Sequence, residues 1–160
     1  MNKTLGILLS ITLLSKITFT KQENKKEGAN NMLNIGQSLD LNQFKKDNNG
    51  ILHQVIKPGT EKKACLGETA TVHYTGYLLE GNNKVGKKFD SSKDRNQPFQ
   101  FQVGKGQVIR GWDLTLPNMT IGEHRIIILS PNLAYGAQNI GNIIPANSSL
   151  IFEIELLKSH

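Results

Sequence analysis

The sequence holds a single cysteine, Cys65, among 160 residues. That excludes an intramolecular disulfide and any metal cluster built on several thiolates. Its four histidines, His53, His73, His124 and His160, show neither His-x-His nor His-x-x-x-His spacing. No ligand pattern for a metal emerges, and neither a metal nor a cofactor is expected. Blocks of like charge are also missing. The net charge is +6, but it is spread along the chain, which argues against nucleic acid as the partner. Lys57, Lys62, Lys63, Lys87 and Lys88 lack the interleaved aromatics on which bases stack. No apolar run reaches the roughly 20 residues a bilayer-spanning helix needs. Tryptophan is nearly absent too: Trp112 is the only one.

What is present begins with a basic start, Met1-Asn2-Lys3, followed by the apolar run Leu5–Leu14. That is the layout of an export signal over residues 1–20, with an uncleaved membrane anchor as the alternative. Residues 21–49 are rich in Lys, Asn, Gln and Glu. They read as a polar linker or as an arm docking on the domain, because a segment this short cannot build its own core. Asp40 with Gln43 three residues on predicts a capped short helix over Leu41–Lys46.

From residue 50 to 160 the pattern is that of a domain. Ile51–Ile56 before Pro58-Gly59 predicts a strand and a turn. Thr69–Leu78 alternates: Ala70, Val72 and Tyr74 share one face, and Thr69, Thr71, His73 and Thr75 the other. His73 is thereby placed at a solvated or edge position. Glu80–Gly86 reads as a flexible surface loop. Phe99, Phe101 and Val103 form the inner face of another strand. Arg110–Asn118 predicts a helix of about two turns, limited by Pro117. Glu123–Leu129 and Leu150–Leu157 are further strands, joined by a long connection, Ser130–Ser149, of the kind that carries function. The fold class expected is α+β: a curved antiparallel sheet of five or six strands, a half-barrel, around one short helix that supplies the only cover for its apolar face.

The stretch Val103-Gly-Lys-Gly-Gln-Val-Ile-Arg-Gly-Trp112 stands out. Glycines mark tight turns around an apolar pair, Val108 and Ile109. Two readings of Trp112 are open: packing in a small core, or the floor of a pocket rimmed by that pair.

Six segments occur in a fixed order: Val72-His-Tyr-Thr-Gly76, Lys88-Phe-Asp-Ser-Ser92, Val108-Ile-Arg-Gly-Trp112, Ala134-Tyr-Gly136, Ile143-Ile-Pro145 and Leu150–Leu157. Together they resemble the FKBP-type peptidyl-prolyl isomerases, the macrolide-binding immunophilins, over roughly residues 50–158. The resemblance implies a strongly curved antiparallel sheet wrapped around a short helix. It implies isomerisation of X–Pro bonds without a covalent intermediate, in the service of protein folding. Asp90, Tyr135, Ile109 and Trp112 take the catalytic positions. Tyr74, Phe89, Phe99, Val108 and Phe152 line the substrate pocket, with Ile143 and Ile144 on a flap beside its mouth. Trp112 becomes the floor, Tyr135 offers its hydroxyl to a carbonyl, and the Ile109 N–H faces the bound chain. Asp90 either polarises the amide or holds Tyr74 and Arg95 in place. The implied partners are proline-containing polypeptides and macrolide inhibitors of the rapamycin class, bound by a monomer. An alternative within the same fold is a binding module or chaperone with incidental catalysis. The chain departs from the best-known members at Ile140, Leu133, the longer Leu79–Gly86 turn, and Pro117.

Overall fold

The computed structural model describes residues 32–160. The expected export signal, and residues 21–31 of the arm, lie outside them. Seven strands form one antiparallel sheet: β1 (Lys45–Lys46), β2 (Leu52–Lys57), β3 (Thr69–Glu80), β4 (Lys84–Ser91), β5 (Phe99–Gln102), β6 (His124–Leu129) and β7 (Leu150–Ser159). They lie in the order β1-β2-β6-β7-β3-β4, with β5 pairing separately with β3. The single α-helix among the described residues, α1 (Arg110–Thr115), is prolonged by a 3₁₀ turn at Leu116–Asn118 that contains Pro117. Proline lacks the N–H that further α-helical bonding needs, so the helix tightens and ends there.

Alternation sorts the side chains onto two faces. Val72 of β3, Ile127 and Leu129 of β6, and Leu150, Phe152, Ile154 and Leu156 of β7 bury against Trp112 and Leu116 in the concavity. Gly111 is what lets α1 lie so close. A Cβ there would come within 2.5 Å of the Leu129 side chain.

The helix is not the only cover. Tyr77, Val85, Ile126, Ile128 and Ile151 form a second core on the convex face, closed by Leu33 and Leu39 of the arm. The arm bonds the start of β4: the Gly36 N–H donates to Val85 O at 2.7 Å, the Val85 N–H to Gln37 O at 2.8 Å, and the Leu39 N–H to Asn83 O at 2.9 Å. Its far end pairs with β2 at the opposite edge, Lys45 against His53 and Lys46 against Leu52. The arm is thus a strap across the sheet's back. The Leu33 N–H donates to Glu153 of β7, and the Tyr77 hydroxyl donates to Leu33 O at 3.2 Å.

The strap accounts for several departures from expectation. Asp40 does cap, accepting the Asn42 N–H at 3.1 Å, but only a 3₁₀ turn, Leu41–Gln43, follows before the chain becomes β1. Glu80–Gly86 is no loose loop: β3 runs to Glu80 and β4 starts at Lys84, because strap backbone satisfies the outer edge of β4 there. These additions raise the strand count to seven. His73 is not at an edge either. Its strand lies between β7 and β4, and its Nδ1 pairs with the Ser92 hydroxyl at 2.9 Å.

Candidate active site

Between α1, the concave sheet and the long β6–β7 connection lies a cavity of about 260 Å³. Its lining comprises Tyr74, Phe89, Asp90, Phe99, Gln107, Val108, Ile109, Trp112, Tyr135 and Phe152. Nine of the eleven residues expected at the site therefore meet in one place, drawn from six different segments. Sheet register brings them together. Gly76 of β3 pairs with both Asp90 of β4 and Phe152 of β7, and Val72 pairs with Phe99 of β5.

Trp112, 4% exposed, is the floor. Tyr74 and Phe152 meet it edge-on, with ring centroids at 5.1 and 5.3 Å and interplanar angles of 83° and 84°. Phe101 supports it from beneath at 5.7 Å. Such edge-to-face contacts add about 0.5–1.5 kcal/mol each beyond area burial and fix the ring planes. The two readings of Trp112 are therefore both true: one side packs in the core and the other faces the cavity. Phe99 is less enclosed than its strand pattern implies. It is 37% exposed and forms a lip beside the mouth.

One carboxylate enters this apolar setting. Asp90 Oδ2 accepts the Tyr74 hydroxyl, and Oδ1 accepts Arg95 Nη1; Arg95 Nη2 also donates to the Tyr74 hydroxyl at 3.2 Å. Burial pushes the Asp90 carboxyl up, but the bonds from Tyr74 and Arg95 outweigh it, and the group is held below its ordinary value. Both oxygens are thus engaged by neighbours. That arrangement favours the holding role over direct polarisation of an amide. Tyr74 is raised by burial and by its bond to Asp90, so it stays a phenol.

The Trp112 indole N–H is buried at the floor without a partner among the described residues, and two further donors lie in residues that line the cavity. The Tyr135 hydroxyl lines the cavity, and burial followed by the Asp90 charge raises its pKa. The Ile109 N–H precedes the first turn of α1, where helical amides have no internal partner. Ile143 and Ile144 do not line the cavity. Ile144 is 4% exposed and packs in the concave core, while Ile143 is 48% exposed. The connection folds back on itself, with the Ile140 N–H donating to Ile144 O at 2.9 Å and the Asn147 N–H to Gly136 O at 2.7 Å. This path turns Ile144 inward and Ile143 outward. Gln107 was missed, although it sits inside the stretch around Trp112; a polar residue there carries no hydrophobic signal. A larger groove, about 530 Å³, lies between the strap and β2, but it gathers four side-chain amides and no converging rings.

A family model described as FKBP-type peptidyl-prolyl cis-trans isomerase matches residues 60–157. The chain is 50% identical over 112 residues to FK506-binding protein 1A of Aspergillus fumigatus, spanning 68% of this chain and 93% of the relative. It is 50% identical over 92 residues to the peptidyl-prolyl cis-trans isomerase Fkbp12 of Drosophila melanogaster, spanning 58% of this chain and 81% of the relative. Among solved structures, AtFKBP13 superposes with a TM-score of 0.65 at 33% identity, covering 73% of this chain and 98% of that one.

Proposed function

Because the chain belongs to the FKBP-type peptidyl-prolyl cis-trans isomerases, and is by that membership an enzyme of X–Pro isomerisation, we propose that the Trp112-floored cavity is where the bond turns. Rotation about the amide crosses a barrier of about 20 kcal/mol because conjugation must be broken. No covalent bond is made or cut, so the task is differential binding: the site must prefer the twisted amide over the planar one. Twisting localises the nitrogen lone pair and reduces the amide's polarity. A dry apolar cage suits that species better than water does, and each 1.4 kcal/mol of preference is about tenfold in rate.

The parts divide as follows. Tyr74, Trp112 and Phe152 cage the prolyl ring, with Phe99 and Val108 at its sides. The Ile109 N–H and Tyr135 hydroxyl orient carbonyls of the bound chain. Asp90, held by Arg95, fixes the Tyr74 ring rather than reacting. The observation that carries this reading is the cage itself: the Tyr74 and Phe152 rings stand at near right angles to Trp112 around one cavity, whose lining includes a single carboxylate, Asp90, together with Ile109 and Tyr135. The test is isomerisation of a short X–Pro peptide by wild type, Asp90→Val and Trp112→Ala. Wild-type rates no faster than spontaneous isomerisation refute the reading.

The same cage suits a bulky apolar ligand such as FK506, whose binding the name of the Aspergillus relative states for that protein. We extend it to this chain: a macrolide of the rapamycin class binds the monomer and competes with peptide. The basic start and Leu5–Leu14 run further support export, with folding of secreted or lumenal polypeptides as the task. Determining the mature N-terminus checks this, since an export signal predicts cleavage near residue 20 or retention as an anchor.

A further inference from the structure

Between β5 and α1 the chain turns twice on glycines with left-handed backbone, Gly104 at φ +73° and Gly106 at φ +66°. Such a turn aims its amides inward, away from any strand or helix partner, and they require an acceptor. One side chain takes both. Asp113 of α1 accepts the Gly104 N–H through Oδ1 at 3.1 Å and the Gly106 N–H through Oδ2 at 2.7 Å. Gln107 closes the other side of the loop, its Oε1 accepting the Gln102 N–H at 2.8 Å. The residues that follow, Gln107, Val108 and Ile109, line the cavity, and Trp112 immediately precedes Asp113.

The carboxylate therefore ties the rim of the site to its floor. An ionised carboxylate is the group that can do this, because it accepts at two oxygens and donates at neither. Asparagine in its place offers one acceptor and turns an NH₂ toward a glycine N–H. Resting on the reading of this cavity as the prolyl site, we propose that Asp113 is a positioning residue: it touches no substrate, and it holds the Val108 wall and the Ile109 N–H at the spacing from Trp112 that a prolyl ring requires. Its position in the first turn of α1 also complements the helix dipole. That effect is purely structural and must be separated from positioning.

The test uses the full chain and a short X–Pro peptide. In Asp113→Asn, kcat/KM falls about tenfold, carried by KM, because the rim contacts planar and twisted amides alike. Asp113→Glu, which keeps both acceptors on a longer arm, recovers the loss to within about threefold. Gly106→Ala strains the same turn through its backbone alone, since a Cβ there meets nothing within 4 Å. It lowers kcat/KM similarly, and the double variant loses less than the sum of the two. Amide exchange gives a readout independent of activity: the Gly104 and Gly106 amides, which Asp113 holds, exchange faster in Asp113→Asn while the strand amides do not. A folded Asp113→Asn with unchanged KM overturns the proposal, whether or not exchange changes. A loss of activity fully matched by a loss of thermal stability also overturns it. If wild type accelerates nothing, the isomerase reading fails by itself, and anchoring of the rim stands or falls on exchange alone.

Discussion

Replacing Glu153 with glutamine should stabilise the protein at neutral pH, and the strap is the reason. Glu153 is 3% exposed, at the centre of the convex face. One carboxylate oxygen accepts the Leu33 N–H of the strap, while the other has no partner among the described residues. His124 Nε2 lies 3.8 Å away, also without a partner. Burial, then the charge of Lys93, lowers the pKa of His124, so it brings no full positive charge at neutral pH. Burial is also the largest influence on Glu153 and raises its pKa; the Leu33 N–H and Lys93 pull it back only in part. A carboxyl raised in this way binds its proton more tightly folded than unfolded. Its contribution to stability is fully present below the unfolded pKa and is lost as pH rises through the folded one.

At neutral pH the buried anion with one idle oxygen costs about 1–3 kcal/mol, and its charged bond to Leu33 returns about 1.5–3 kcal/mol. Glutamine keeps a neutral bond of about 1 kcal/mol, sheds the charge, and offers its NH₂ to the His124 ring. The expected net gain is about 1 kcal/mol, or about 3–5 °C in Tm for a domain of this size. Urea unfolding of both proteins at pH 7.5 and pH 4 measures it. The gain should be present at pH 7.5 and vanish toward pH 4, where wild type protonates. A glutamine variant less stable than wild type at pH 7.5 would refute the reasoning. It would mean that the anionic bond to the strap outweighs the cost of burying the charge.

Activity should be flat across neutral pH and fall only in acid. Asp90 is held below its ordinary carboxylate value by Tyr74 and Arg95 against the effect of burial, so the stability this trio supplies persists above the unfolded pKa and is lost as pH drops through the folded one. A pH profile of kcat/KM with its acid limb above pH 6 contradicts that. Tyr135→Phe should lower kcat/KM about two- to tenfold, the range for one neutral hydrogen bond, with little change in Tm. An unchanged value removes the hydroxyl from the proposed role.

Much of the fold was legible in the sequence because alternation is a local property. Ala70, Val72 and Tyr74, or Leu150, Phe152, Ile154 and Leu156, declare a common face without reference to any other segment, and Pro117 limits the helix wherever the helix packs. The candidate site was legible for a related reason. Its rings and donors sit in short ordered segments whose spacing survives in the chain, so nine of the eleven residues expected there meet in the cavity.

Other features depend on partners far away in sequence, and only the tertiary structure decided them. The burial of Glu153 is set by Leu33, 120 residues earlier. The ordering of Glu80–Lys84 depends on strap backbone whose own composition reads as polar linker. The central place of His73 depends on which strands flank β3. The split between buried Ile144 and exposed Ile143 depends on the path of a folded connection. The pair of hydrogen bonds that the Gly104 and Gly106 N–H groups donate to Asp113 needs the loop and α1 to be brought together. Sequence periodicity reports which way a side chain points relative to its own backbone; what it then meets is a property of non-local pairing, and that is where the strap, the rim and the floor of the site were settled.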